Sequence, residues 1–223
     1  MTKAVIFDID GTLLDSVDLH AQAWQEAFKH FGHEIPFDQI RAQIGKGGDQ
    51  LLPVFLSPAE LKEKGKSLEK FRGTLFKQKY LPKVRSFPCV RELFQHVKAN
   101  GQQVALASSA KPDDLQTFER IANIEDLVHV ETSSGDAERS KPHPDIFEAA
   151  LEHLGKIPRG DVVVVGDSPH DAEAAGKAGL RAVGVLCGGF SEAVLREAGC
   201  IAIYADPADL LRRYGDSPLA NSR

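Results

Sequence analysis

Four short apolar runs constrain this chain more than any other feature. Each closes on a polar turn and is followed by a stretch with helical spacing. They are Ala4-Val5-Ile6-Phe7, Gln103 to Ala107, Val162 to Val165, and Arg181 to Leu186. Runs so short, and mostly so rich in valine and isoleucine, suit strands buried on both faces. Leu127 to Val130 and Ile201 to Tyr204 are weaker runs of the same kind. Strands alternating with helices imply an α/β fold, a doubly wound parallel sheet with right-handed crossovers.

One region breaks the alternation. Val17, Ala21, Trp24, Phe28 and Phe31 recur at helical steps, with Asp15 or Ser16 where a cap belongs and Gly32 at the end. Pro36 to Ile44, Asp49 to Phe55 and Pro58 to Tyr80 continue as helical segments. Gly45-Lys46-Gly47-Gly48 and Ser57-Pro58 separate them. This pattern predicts an inserted α-helical cap domain over residues 15–83, with 1–14 and 84–223 forming the α/β core. The polar stretch from Asp216 to Arg223 reads as a loose tail.

Charge and composition exclude several function classes. With 27 basic and 32 acidic residues the net charge is −5, unlike the basic face of a nucleic-acid binder. The 42% hydrophobic and 26% charged content is that of a folded globular chain. No apolar run approaches the ~20 residues that span a bilayer. Met1-Thr2-Lys3 and the short run after it do not make a signal peptide. The 3 cysteines include no C-x-x-C pair, which suits a reducing compartment. The expectation is a soluble cytoplasmic protein, a monomer or weak dimer, with no nucleic-acid or membrane partner.

In an open parallel sheet, ligands bind beyond the carboxyl ends of the strands. The loops there carry Asp8-Ile9-Asp10-Gly11-Thr12, Ser108-Ser109, and Gly166-Asp167-Ser168-Pro169-His170-Asp171. Lys141 stands shortly before a helix that begins near Pro144. Topology therefore brings together Asp8, Asp10, Asp167, Asp171, a serine hydroxyl and Lys141. Four carboxylates and one lysine sum to −3, and one divalent cation brings that to −1. Hard oxygen ligands without clustered cysteine or histidine suit Mg²⁺, and the matching polyanion is phosphate. Competing motifs fail: no G-x-S-x-G, H-E-x-x-H or P-loop frame occurs.

Asp8-Ile9-Asp10-Gly11-Thr12-Leu13-Leu14-Asp15-Ser16 resembles the first signature of the haloacid dehalogenase-like hydrolases. A serine after a strand, Lys141-Pro142, and Gly166-Asp167 with Asp171 match the other three signatures in order. The resemblance covers nearly the whole chain and includes the helical cap. It implies a phosphatase with Asp8 as nucleophile and Asp10 as general acid and then base. Asp10 would start protonated, its pKa raised by neighbouring negative charge. Ser108 would hold the transferring phosphoryl group, with Ser109 as the alternative hydroxyl, and Lys141 would offset its charge. Asp8, the backbone carbonyl of Asp10, and Asp167 would hold Mg²⁺, with Asp171 in support. Dehalogenases on this scaffold typically lack the second aspartate, so Asp10 argues against that chemistry.

Substrate clues lie in the cap. His20 either edges the apolar face of its helix or relays protons to Asp10, as in the β-phosphoglucomutases, which the chain also resembles in Trp24 and Ala107-Ser108. Those mutases carry an arginine shortly after the cap-loop lysine, gripping a second phosphate. Here Lys46, itself a candidate substrate contact, is followed by Gly47-Gly48-Asp49. The reading is hydrolysis of a small phosphorylated metabolite, a sugar phosphate or phosphoglycolate, with a phosphosugar mutase as the alternative.

Overall fold

The computed structural model describes residues 1–220. Its main sheet uses six strands: β1 (Ala4–Phe7), β4 (Gln103–Ala107), β5 (Val130–Thr132), β6 (Val162–Gly166), β7 (Arg181–Val185) and β8 (Cys200–Tyr204). The remaining two, β2 (Leu14–Asp15) and β3 (Arg85–Ser86), form a separate antiparallel pair. The main sheet is parallel throughout, in the order β5-β4-β1-β6-β7-β8. From β1 the chain builds outward to both sides, so a crevice opens at the carboxyl ends of β1, β4 and β6.

Alternation along the strands explains why both faces are covered. Val5, Phe7, Val104, Leu106, Val163 and Val165 enter one core. It is closed by α5 (Val90–Ala99), α6 (Pro112–Ala122) and α10 (Pro207–Arg212). Ala4, Ile6, Ala105, Ala107, Val162 and Val164 enter the other. That one is closed by α7 (Asp145–Leu154), α8 (Pro169–Lys177) and α9 (Glu192–Glu197). A strand apolar at every position has no solvent side, which is why these runs show no polar alternation.

Between β2 and β3 the chain forms α1 (Val17–His30), α2 (Phe37–Arg41), α3 (Gly48–Phe55) and α4 (Pro58–Leu75). Val17, Ala21, Trp24 and Phe28 of α1 meet Ile40, Leu51, Leu52 and Leu68 in a third core. Ser57 caps α4 through a reciprocal bond with Glu60. The expected segment from Pro58 to Tyr80 is helical throughout, but its last turn widens into a π turn over Phe76–Tyr80. The expected helix from Pro36 to Ile44 shrinks to α2, because Ala42 to Gly45 turns into the glycine loop.

Two expectations need correction. The strand expected at Leu127 to Val130 lies instead at Val130–Thr132, because Leu127 turns inward to the core before pairing with β4 begins. The tail is not loose as far as it is described. Leu219 is fully buried; Thr2 donates to the carbonyl of Pro218 at 2.9 Å, and Gln102 to that of Leu219 at 2.6 Å. One apolar side chain and the paired carbonyls outweigh a polar composition. Residues 221–223 lie outside the described residues.

Candidate active site

β1 ends by delivering Asp8 into the crevice, its amide still donating to Val165 of β6 at 2.9 Å. Asp167 follows β6, and Asp171 sits in the first turn of α8. Lys141, fully buried, reaches in from the loop before α7. Its ammonium donates to Asp8 Oδ1 at 2.5 Å and to the carbonyl of Ala107 at 3.0 Å, and pairs with Asp171 Oδ1 at 2.8 Å. Burial opposes charge on Lys141, but Asp171 and Asp8 outweigh it and hold the ammonium protonated.

The carboxylates crowd. Asp8, Asp167 and Asp171 each place an oxygen within 4.8 Å of the others. The Thr12 hydroxyl lies 3.3 Å from Asp8 Oδ2 and 3.1 Å from Asp167 Oδ1, with one proton to give to either. Burial, opposed by Lys141, pushes the Asp8 carboxyl up to about 7. Burial and the neighbouring Asp171 and Asp8 raise Asp167 well above the usual carboxylate range. Three carboxylates against one ammonium leave −2 in a shielded pocket, which a hard divalent cation fits. Gly188 closes the far side: a Cβ there would stand 1.7 Å from Asp167 Oδ2. Asp171 Oδ2 is taken, accepting from the Ser168 amide at 3.1 Å and hydroxyl at 2.6 Å, whereas its buried Oδ1 faces the Lys141 ammonium at 2.8 Å and accepts no hydrogen bond.

Asp10 faces the other way, and here the sequence expectation is corrected. Its half-buried carboxylate accepts from Ser16 at 2.6 Å and meets His20 Nε2 at 2.8 Å. Burial raises its pKa, but His20, Ser16 and Arg72 together hold it below the ordinary carboxylate value. The turn aims Asp10 away from the other aspartates, so cationic and hydrogen-bonding neighbours govern its charge. Ser16 stands at the start of α1 without capping it, because its hydroxyl serves Asp10.

Arg72 is the partner that sequence reasoning missed. It hydrogen-bonds His20 Nδ1 from α4 and lies over Trp24 and Phe76, at 4.9 and 5.2 Å from the ring centroids. Burial lowers its pKa to about 10 despite Asp10, Glu69 and Asp114. His20 stacks on Phe76 at 3.9 Å and is itself lowered by burial. A signal existed: Arg72 continues the stripe of Leu61, Gly65 and Leu68 toward Phe76, where an arginine needs a buried partner.

A cavity of about 770 Å³ lies between the helical segment and the sheet's carboxyl end. Asp8, Asp10, His20, Arg72, Lys46 and Ser109 all line it. Ser108 is buried beneath, its hydroxyl accepting from the Ala110 amide at 3.1 Å, which leaves its proton to donate elsewhere. Lys46 donates to Gln43 at 2.6 Å, at the cavity wall rather than beside Asp8's lysine. Around the rim, Arg41 donates to the Gly188 carbonyl at 2.9 Å, and His170 Nε2 meets the Ala42 carbonyl at 3.2 Å.

A parallel sheet with an aspartate at the end of its central strand, a buried lysine on that aspartate and two further carboxylates defines a hydrolase class. The chain belongs to the haloacid dehalogenase-like hydrolases, whose family model matches residues 5–185. It is similar to the phosphorylated carbohydrates phosphatase of Thermotoga maritima, 30% identical over 213 residues that cover 94% of this chain and 96% of that one. A phosphoglycolate phosphatase of Nitrosospira multiformis is 30% identical over 206 residues, 90% of each chain. The crystal structure of a hydrolase from Pseudomonas syringae superposes with a TM-score of 0.88 at 26% identity, covering 96% of this chain and 99% of that one.

Proposed function

We propose that this protein is a Mg²⁺-dependent phosphatase that hydrolyses a small phosphorylated metabolite through an aspartyl-phosphate on Asp8. The substrate is of the sugar phosphate or phosphoglycolate type, in keeping with the names of the two relatives. Residues 15–83 act as a cap over a core of 1–14 and 84–223, in a cytoplasmic enzyme. One observation carries the reading. Two aspartates two residues apart are given separate partners, Asp8 the buried Lys141 ammonium and Asp10 the His20 ring. Groups so divided can serve as nucleophile and as acid/base.

Asp8 attacks phosphorus; an aspartyl oxygen–phosphorus bond forms as the ester oxygen–phosphorus bond breaks. Asp10 gives a proton to the departing oxygen. It then takes one from the water that attacks phosphorus, and Asp8 is released with inorganic phosphate. Asp10 rests ionised, so it must gain that first proton. An anionic phosphoryl group beside it raises its pKa in that direction, and His20 lies in contact to pass protons. Ser108, with Ser109 as the alternative, and Lys141 hold the phosphoryl oxygens. Asp8, Asp167 and the Asp10 carbonyl would hold Mg²⁺, which supplies charge neutralisation so that a carboxylate and a phosphoryl group can approach. Asp171 supports by orienting Lys141.

A mutase is the second reading, favoured by the pairing of His20 with Asp10 beside Trp24. Asp49 on the cavity wall opposes it, because a bisphosphate's distal group would meet a negative charge. The test is phosphate release from a panel of monoesters with Mg²⁺ and in chelator. Release that needs Mg²⁺ and yields no isomerised ester supports hydrolysis. Turnover of β-glucose 1-phosphate to glucose 6-phosphate with little free phosphate would establish the mutase instead.

A further inference from the structure

The loop between α2 and α3 touches the core beside the residue that precedes Lys141. Asp49 Oδ2 accepts from the Ser140 amide at 3.1 Å. The backbone at Gly47 comes so near that a Cβ there would stand 2.1 Å from Ser140 Oγ. Lys46, the basic residue of this loop, is engaged by Gln43 and does not neutralise Asp49. Burial opposes the Asp49 charge, but bonds from Gln50 and Ser140 outweigh it, and the carboxyl sits below the usual range. Asp49 also lines the cavity above Asp8.

We infer that Asp49 is a positioning and specificity-determining residue, a latch that seats the cap loop on Ser140 and fixes a negative charge at that end of the cavity. This inference rests on the phosphatase reading and gives it a substrate class: monophosphate esters whose far end carries no second phosphate. The chemistry follows from the two bonds. Ser140 is joined to Lys141, so holding its amide steadies the loop that delivers the ammonium to Asp8. The charge that makes the latch strong is the one that repels a second phosphate.

Two substitutions separate these effects. Asp49→Ala removes both the acceptor and the charge. Asp49→Asn keeps an acceptor oxygen for the Ser140 amide and loses only the charge. In the full-length protein, hydrogen exchange of the segment containing Ser140 is expected to quicken in Asp49→Ala and to return toward wild type in Asp49→Asn. With glucose 6-phosphate, Asp49→Ala is expected to lose about tenfold in kcat/KM, the size of one charge-assisted hydrogen bond, and Asp49→Asn to regain part of it through a neutral one. With glucose 1,6-bisphosphate, Asp49→Asn is expected to exceed wild type. Exchange at Ser140 that is the same in all three proteins would overturn the latch, and unchanged preference between the esters in Asp49→Asn would overturn the charge role. If wild type hydrolyses neither of these esters nor any other of the monoester panel, the phosphatase reading fails, while the exchange measurement still decides the latch.

Discussion

Lys141 shows how one side chain can carry both stability and chemistry. A fully buried ammonium is normally unaffordable, yet here Asp8, Asp171 and the Ala107 carbonyl all face it. Lys141→Met keeps the length and removes the charge, leaving three neighbouring carboxylates with no cation. Without added metal, the expected cost is about 3–5 kcal/mol in a urea melt, the range for breaking a buried pair, with phosphatase activity lost. A melt identical to wild type would mean that the pair contributes nothing. Arg72 and His20 make the complementary case at Asp10, where a cation and a ring set the charge of the second aspartate. The sequence made Asp8, Asp10, Asp167 and Lys141 legible because strand ends must converge in a parallel sheet. It left Arg72 hidden, because the partner of a helical arginine is decided by how the helices between β2 and β3 pack, and no spacing rule encodes that. The direction of Asp10 was hidden for the same reason: its neighbours come from α1 and α4, not from its own loop.

At the scale of elements, loops and helix ends hold the site. The turn after β7 brings Gly188 against Asp167, and Arg41 of α2 grips that same turn. Gly188→Ala would drive a methyl into the carboxylate, so Asp167 must swing away. The expected result is a weakened apparent affinity for activating Mg²⁺ with little change in melting temperature, read from a metal titration beside a melt. Wild-type metal dependence would show that Asp167 is not a ligand. On the far edge of the sheet, Glu119 of α6 is buried against Glu131 of β5, and burial first, then Glu131, raises its pKa to about 7. The folded state therefore holds this proton more tightly than the unfolded chain does. Stability from this group is full below about 4.5 and is lost as pH rises through about 7. Glu119→Gln keeps a neutral donor toward Glu131, so its melting temperature should match wild type near pH 5 and exceed it near pH 8. Parallel curves across that range would remove Glu119 as the cause. Element identities were readable from apolar runs and helical spacing. The position of β5 was not, because a three-residue strand carries too little alternation to fix its register.

The whole molecule is an α/β platform with a helical insertion, and the cavity lies between them. The platform supplies Asp8, Asp167, Asp171, Ser108 and Lys141; the insertion supplies His20, Arg72, Lys46 and Asp49. In the proposed reaction, proton transfer at Asp10 would depend on contacts from the insertion, and attack by Asp8 on the sheet. No helix among the described residues is long and apolar enough to cross a membrane. The insertion itself was visible in the sequence as a helical stretch inside an alternating pattern. Its contacts with the platform, Arg41 to Gly188 and Asp49 to Ser140, were not, because they join residues far apart in the chain through backbone groups that carry no sequence signature. The most direct test of the account is a single turnover of a radiolabelled phosphate monoester with Mg²⁺, quenched in acid and followed by peptide mapping. The account predicts label on Asp8 that forms and decays at the rate of turnover. Free phosphate appearing with no labelled protein, or label on another residue, would contradict it.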